Sequence, residues 1–196
     1  MNIRKRFDII IGIGEGREAY GIMDAKRKET CCFTGHRAMS REARVLSSEM
    51  IKHTVRYLVR LGVRYFIVGG ALGFDTVAAV TLLNMRDNEE LLDASGSRVE
   101  IELEVAVPCR DQSENWSFSD RALYNSILAS ADRVSILSKS YTRGCMHKRN
   151  RYMVDKSAFC VCYVTRSSGG SYYTMSYAKI SGLEIINLAT EGAISP

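Results

Sequence analysis

The chain has two prolines in 196 residues, and one of them is the last residue. With 46% hydrophobic and 25% charged residues, that composition excludes a collagen-like or low-complexity protein and fits an ordinary globular chain. No apolar run reaches membrane-spanning length. The apolar stretch Ile9 to Ile13, preceded by Arg4 to Arg6, has the outline of a signal peptide, but Glu15, Arg17 and Glu18 end it at once. Cysteines stand at 31, 32, 109, 145, 160 and 162 without a C-x-x-C spacing, which speaks against a zinc or dithiol site. Free, buried, reduced thiols are the expectation, no metal is implied, and the predicted location is the cytoplasm with no membrane partner. There is no internal repeat.

What the chain does have is a modest positive charge, +5, gathered into Arg4–Arg6, Lys26–Lys28 and the group Arg143, Lys148, Arg149, Arg151. That distribution fits phosphate-bearing partners, whether a small nucleotide or a nucleic acid. Residues 1–28 read as an N-terminal extension with Gly12, Gly14 and Gly16, and Met23 stands as an alternative start. Residues 29–196 read as one domain, long enough to bury roughly 70% of its unfolded surface.

From Cys31 onward, apolar runs alternate with amphipathic segments, the pattern of parallel strands joined by helices. Strands are expected at Cys31–Thr34, Tyr65–Val68, Val99–Val107, Val134–Leu137, Ala158–Val164 and Leu183–Leu188. Helices are expected at Arg41–Leu61, Thr76–Met85, Ser113–Ala131, Cys145–Lys156 and Gly170–Ile180, with a loop at Asp87–Ser97. The first helix carries Leu46, Met50, Thr54, Tyr57, Leu58 and Leu61 at helical spacing, with Ser40 as its N-cap. His53 falls inside that helix and reads as structural. The fold class is α/β: a Rossmann-like, doubly wound, mainly parallel sheet of six or seven strands with helices on both faces.

Four segments carry chemistry. Val68-Gly69-Gly70-Ala71-Leu72-Gly73-Phe74-Asp75 lies between a strand and a helix, where glycines admit a ligand to the backbone N–H groups and the helix N-terminus favours an anion. A plain tight turn is the alternative, and Asp75 either caps the helix or accepts hydrogen bonds from a ribose or base. Ser167-Ser168-Gly169-Gly170-Ser171, with Thr174 beyond, repeats the strand-to-helix placement, and the alternative there is Ser168 or Ser171 as a simple helix cap. Thr34-Gly35-His36-Arg37 brings out an imidazole and a guanidinium together: Arg37 suits a phosphate, and His36 is either a ligand contact or a satisfied loop histidine. The last segment, Gly144 to Ser157, is strongly basic with Met153 and Val154 facing inward, and by composition it is a solvated helix face.

In this order the segments resemble the SLOG superfamily, with the match closest to its YpsA-like branch. The resemblance rests on Cys31–Arg37, Gly69–Asp75, Val107-Pro108-Cys109 with Gln112 and Trp116, Cys145-Met146 with Arg149–Asp155, and Gly169-Gly170 with Thr174, Tyr177 and Ala178. Ala38 and Ser171 depart from it, standing where proline and threonine are usual. The resemblance implies a Rossmann-like sheet that recognises nucleotides or nucleotide derivatives, with relatives ranging from cytokinin-activating phosphoribohydrolases to DprA-like single-strand DNA binders. Met146-His147-Lys148-Arg149 is similar to the Met-His-x-Arg segment of the phosphoribohydrolases, placing Arg149 at their catalytic arginine. Their essential glutamate has no counterpart in Tyr172–Tyr177, and glycosidic cleavage ordinarily relies on carboxylates.

The leading expectation is therefore a binding or sensing protein rather than an enzyme. Gly35, His36, Arg37, Gly69, Gly70, Gly73, Asp75, Arg149, Gly169, Gly170, Ser171 and Thr174 would form its ligand site, with Trp116 or Tyr152 stacking on a base or packing in the core. The alternatives are a phosphoribohydrolase using Arg149 and Asp75, or single-stranded nucleic-acid binding. No cofactor beyond the nucleotide-type ligand is expected, and homo-oligomerisation stands as a further option.

Overall fold

The computed structural model of the protein describes residues 25–189. The Arg4–Arg6 cluster, the glycines at 12, 14 and 16, and Met23 lie outside the described residues. Six parallel strands form the main sheet: β1 (Thr30–Gly35), β2 (Tyr65–Val68), β5 (Glu102–Val107), β6 (Arg133–Ile136), β7 (Phe159–Tyr163) and β8 (Glu184–Asn187). A small antiparallel hairpin, β3 (Leu91–Leu92) with β4 (Arg98–Val99), stands apart. Five helices connect them: α1 (Arg41–Arg60), α2 (Phe74–Asn88), α3 (Phe118–Ser130), α4 (Cys145–Asp155) and α5 (Gly170–Ile180).

The sheet order is β6-β5-β2-β1-β7-β8, so the chain winds outward from β1 in one direction and then returns to its other side through β7. β1 pairs with both β2 and β7 and is buried along its length except at Gly35, which explains why it is apolar without alternation. Its side chains divide by parity. Cys31 and Phe33 enter the larger core beneath α1, α2 and α3, whereas Cys32 joins Cys160, Cys162, Met153 and Ala178 in the smaller core beneath α4 and α5. All six cysteines are free and buried.

Some boundaries differ from the sequence reading. The expected strand Val99–Val107 divides into β4 and β5, the expected loop 87–97 contains β3, and α3 begins at Phe118 because residues 110–116 form turns. Ser40 does cap α1, its Oγ accepting the N–H of Ala43 at 3.1 Å. The buried stripe of α1, however, is Ser47, Ile51, Val55, Leu58 and Val59. Leu46 (61%), Tyr57 (51%) and Leu61 (51%) are exposed, whereas Met50 packs half-buried against the core and Thr54 is half-buried beside it, so the expected stripe is rotated partly off the sheet. His53 is exposed on the same helix.

Candidate functional site

The strand order reverses between β1 and β7, and a cavity of about 250 Å³ opens there at the carboxyl ends of the strands. This is the crevice in which open α/β sheets bind ligands. Thr34, Gly35, His36 and Arg37 line it from the end of β1, and Ala71 and Asp75 from the β2–α2 turn. Met146, Arg149, Asn150 and Met153 come from α4, and Gly170 and Ser171 from the start of α5. All four sequence motifs thus converge on one place.

Tight backbone packing brings them together. The N–H of Phe74 donates to the His36 carbonyl at 3.0 Å, tying the β2–α2 turn to the loop after β1. Gly73 has φ +81°, and a Cβ there would overlap the carbonyl oxygens of His36 and Arg37. Gly35 is equally confined, by the Phe74 ring. Gly70, at φ +63°, is braced by Gln112, whose Nε2 donates to its carbonyl at 2.7 Å. These glycines shape the turn; they do not themselves line the cavity, with the exception of Gly35.

At the floor lies a buried ion pair. Arg149 Nη1 sits 3.5 Å from Asp75 Oδ2 and also donates to the Gly69 carbonyl, while its Nε donates to Asn150 Oδ1 at 2.7 Å. Asp75 Oδ2 also accepts the Ala71 N–H at 3.3 Å. Asp75 therefore closes the turn on itself rather than capping α2, whose N-cap is Gly73. Burial raises the Asp75 pKa above its ordinary value against the pull of Arg149, and burial lowers that of Arg149 against the pull of Asp75. A Cβ at Gly69 would overlap the Arg149 guanidinium, so a larger residue there would displace the ion pair.

At the mouth, His36 Nε2 accepts the backbone N–H of Thr165 and meets its Oγ1, both at 2.9 Å. The neutral ring is consequently the Nδ1–H tautomer, and its pKa is lowered by burial and then by the charge of Arg166. The ring is both a satisfied loop histidine and part of the cavity wall. Ser171 caps nothing: its Oγ donates to the Gly35 carbonyl at 2.6 Å and latches α5 to β1. Thr174 is buried, its hydroxyl returned to the Gly170 carbonyl at 2.8 Å. A Cβ at Gly169 (φ +91°) or Gly170 would meet nothing within 4 Å, and no side chain caps the start of α5.

Neither proposed stacking aromatic reaches this cavity. Trp116 packs edge-on against Tyr124 beside the larger core, and Tyr152 donates to Glu104 Oε1 at 2.6 Å. Thr34, Asn150 and Met146 line the site without having been singled out for it. The adjacency of Asn150 to Arg149 was the available signal. On the outer face of α4 and α5, a shallow groove gathers His147, Lys148, Arg151, Tyr152, Asp155 and Tyr173, with Asp155 accepting the Tyr177 hydroxyl at 2.8 Å. His147 meets Tyr173 at 4.5 Å, Tyr173 lies parallel to Tyr177, and the Arg151 guanidinium sits 5.5 Å over Tyr177. No helix among the described residues is long and apolar enough to cross a membrane.

A sequence profile described as the YspA SLOG family matches residues 31–184. UPF0398 protein BH1768 of Halalkalibacterium halodurans is 29% identical over 125 residues, covering 62% of this chain and 61% of that protein. The chain thus spans about three fifths of the length of that relative. The SPbeta prophage-derived protein YoqJ of Bacillus subtilis is 26% identical over 126 residues, 58% of this chain and 68% of that one. Among solved structures, DNA processing protein A from Streptococcus pneumoniae superposes with a TM-score of 0.55 at 15% identity, over 83% of this chain and half of that one. The Helicobacter pylori protein of the same name, described for its single-stranded DNA binding mode, gives 0.53 at 18% identity over 94% of this chain and 77% of that one. At these identities the likeness is one of fold.

Proposed function

The chain belongs to the YspA SLOG family, and from that premise we propose that it binds or senses a nucleotide or nucleotide-derived ligand in the crevice between β1 and β7. The observation that carries this reading is the convergence of four separate strand-to-helix segments on one cavity at the switch point of the sheet. The N-terminus of α5, uncapped by any side chain and lining the cavity at Gly170 and Ser171, suits a phosphate, with Arg37 as a second anchor. Thr34 and Asn150 offer hydrogen bonds to sugar or base, and Met146 and Met153 supply apolar surface.

Binding is favoured over turnover. Asp75 is the one carboxylate among the lining residues, and its Oδ2 is engaged by Arg149 and the Ala71 N–H. A phosphoribohydrolase would need it free to activate water. Calorimetry against nucleoside mono- and diphosphates and ADP-ribose tests the reading: saturable binding that Gly170→Ala weakens is expected, and no binding to any of them would overturn it. Release of free base from a nucleoside monophosphate, lost in Arg149→Ala, would instead establish the enzyme.

A second reading, single-stranded nucleic-acid binding, is favoured by the groove on α4 and α5. It places Lys148 and Arg151 among His147, Tyr173 and Tyr177, the mixture of charge and ring faces that single strands use. Salt-sensitive retention of an oligonucleotide is its test.

A further inference from the structure

The crevice has a second lobe. A neighbouring cavity of about 490 Å³ shares His36 and Arg37 with the first and continues past them to Tyr163, Thr165 and Arg166. The first lobe alone is smaller than the roughly 300–1,000 Å³ of ordinary small-molecule sites, whereas the two together fall within that range. Their electrostatics differ. In the first lobe the charge of Arg149 is matched by Asp75. The second is lined by two guanidinium groups, Arg37 and Arg166, and by no carboxylate. Neither of those arginines forms a salt bridge or a side-chain hydrogen bond among the described residues. The wall between the lobes is set in place by the two bonds from Thr165 to His36 Nε2.

Resting on the nucleotide reading above, we infer that the second lobe takes a second phosphate of the same ligand, held by Arg166 together with Arg37. The ligand class is then a nucleotide with two phosphate groups, linked through either a pyrophosphate or a phosphodiester, rather than a nucleoside monophosphate. Two guanidiniums in a lobe lined by no carboxylate complement an anionic phosphate, and each charge-assisted bond adds strength beyond a neutral one.

The test is calorimetry with AMP, ADP-ribose and the 5′-phosphorylated dinucleotide pApA, on the wild-type chain and on Arg166→Ala. One of the two-phosphate ligands is expected to bind at least about tenfold more tightly than AMP, as one charge-assisted contact allows. Arg166→Ala, on an exposed loop, is expected to shrink that ratio to about threefold or less. Preference for ADP-ribose identifies the pyrophosphate linkage, and preference for pApA the phosphodiester. Binding of AMP as tightly as both larger ligands, or an affinity ratio indifferent to Arg166→Ala, overturns the second lobe and leaves the first intact. Failure of all three to bind removes both readings.

Discussion

Arg149 and Asp75 meet at 3.5 Å beneath the crevice, each almost wholly buried, with the guanidinium also claimed by the Gly69 carbonyl. Residues 74 positions apart in the chain are locked there into one unit. The pair holds the glycine-rich turn against α4, so the shape of the crevice and the stability of the domain share one interaction.

Removing one partner is accordingly expected to be worse than removing both. Arg149→Ala leaves a buried carboxylate uncompensated and should cost about 3–5 kcal/mol in urea denaturation. Combining Asp75→Asn with Arg149→Met should recover at least about 1 kcal/mol of that loss, since the two sites are directly coupled. Equal losses in the single and double variants would mean that the carboxylate is not held by the arginine.

His36 gives the fold a pH dependence of known sign. Its folded pKa lies below the ordinary 6.5, so the unfolded chain takes up the proton first. The stability it contributes is complete above 6.5 and lost as pH falls through the folded value. Asp75, raised by burial, acts in the opposite sense: its contribution is complete below 3.8 and lost as pH rises through its folded value. Urea midpoints measured between about pH 7.5 and 5.5 should fall toward the acid end, and His36→Asn should flatten that slope.

Two glycine substitutions separate shape from binding. Gly73→Ala combines a positive φ with overlap onto the His36–Arg37 backbone, and is expected to cost about 1–3 kcal/mol or more in denaturation. Gly170→Ala has open space and no positive φ, so stability should change by under about 0.5 kcal/mol. Its methyl group would sit at the mouth of the cavity, where loss of nucleotide affinity at unchanged stability is the expected signature.

The groove on α4 and α5 is tested independently. If it binds single strands, Tyr173→Ala should weaken oligonucleotide affinity by about 1–3 kcal/mol, the value of one base stacked on an aromatic ring. Arg151→Ala should lower the salt slope by about 0.7, the share of one phosphate on a single strand. Neither change should touch nucleotide calorimetry, because no residue of that groove lines the crevice.

The alternation of strands and helices was legible because β1, β2 and β7 are buried on both faces and read as short apolar runs. So was the meeting of the motifs, since each glycine cluster follows a strand and parallel strands deliver their ends to one edge. Two kinds of information were not local. Leu46, Tyr57 and Leu61 fit a helical stripe as well as Ile51 and Val55 do, and only the sheet beneath α1 decides which row is buried. The basic and aromatic residues of α4 and α5 look unrelated along the chain, and become interleaved only when the two helices pack side by side. Arg166 and Thr165 carry no local signal for the same reason: no motif marks them, although they follow β7 at the edge where open α/β sheets bind ligands.

The contact between His36 and Thr165 spans 129 residues of chain. A ribosome that has released β1, β2 and their helices has exposed the glycine-rich turn but no crevice, because β7 and the start of α5 are still unmade. If the crevice takes a nucleotide, that ligand cannot assist the early stages of synthesis. It can only trap a chain whose last strands have already docked, so nucleotide protection against proteolysis should begin abruptly in nascent chains that extend past α5, with none in shorter ones.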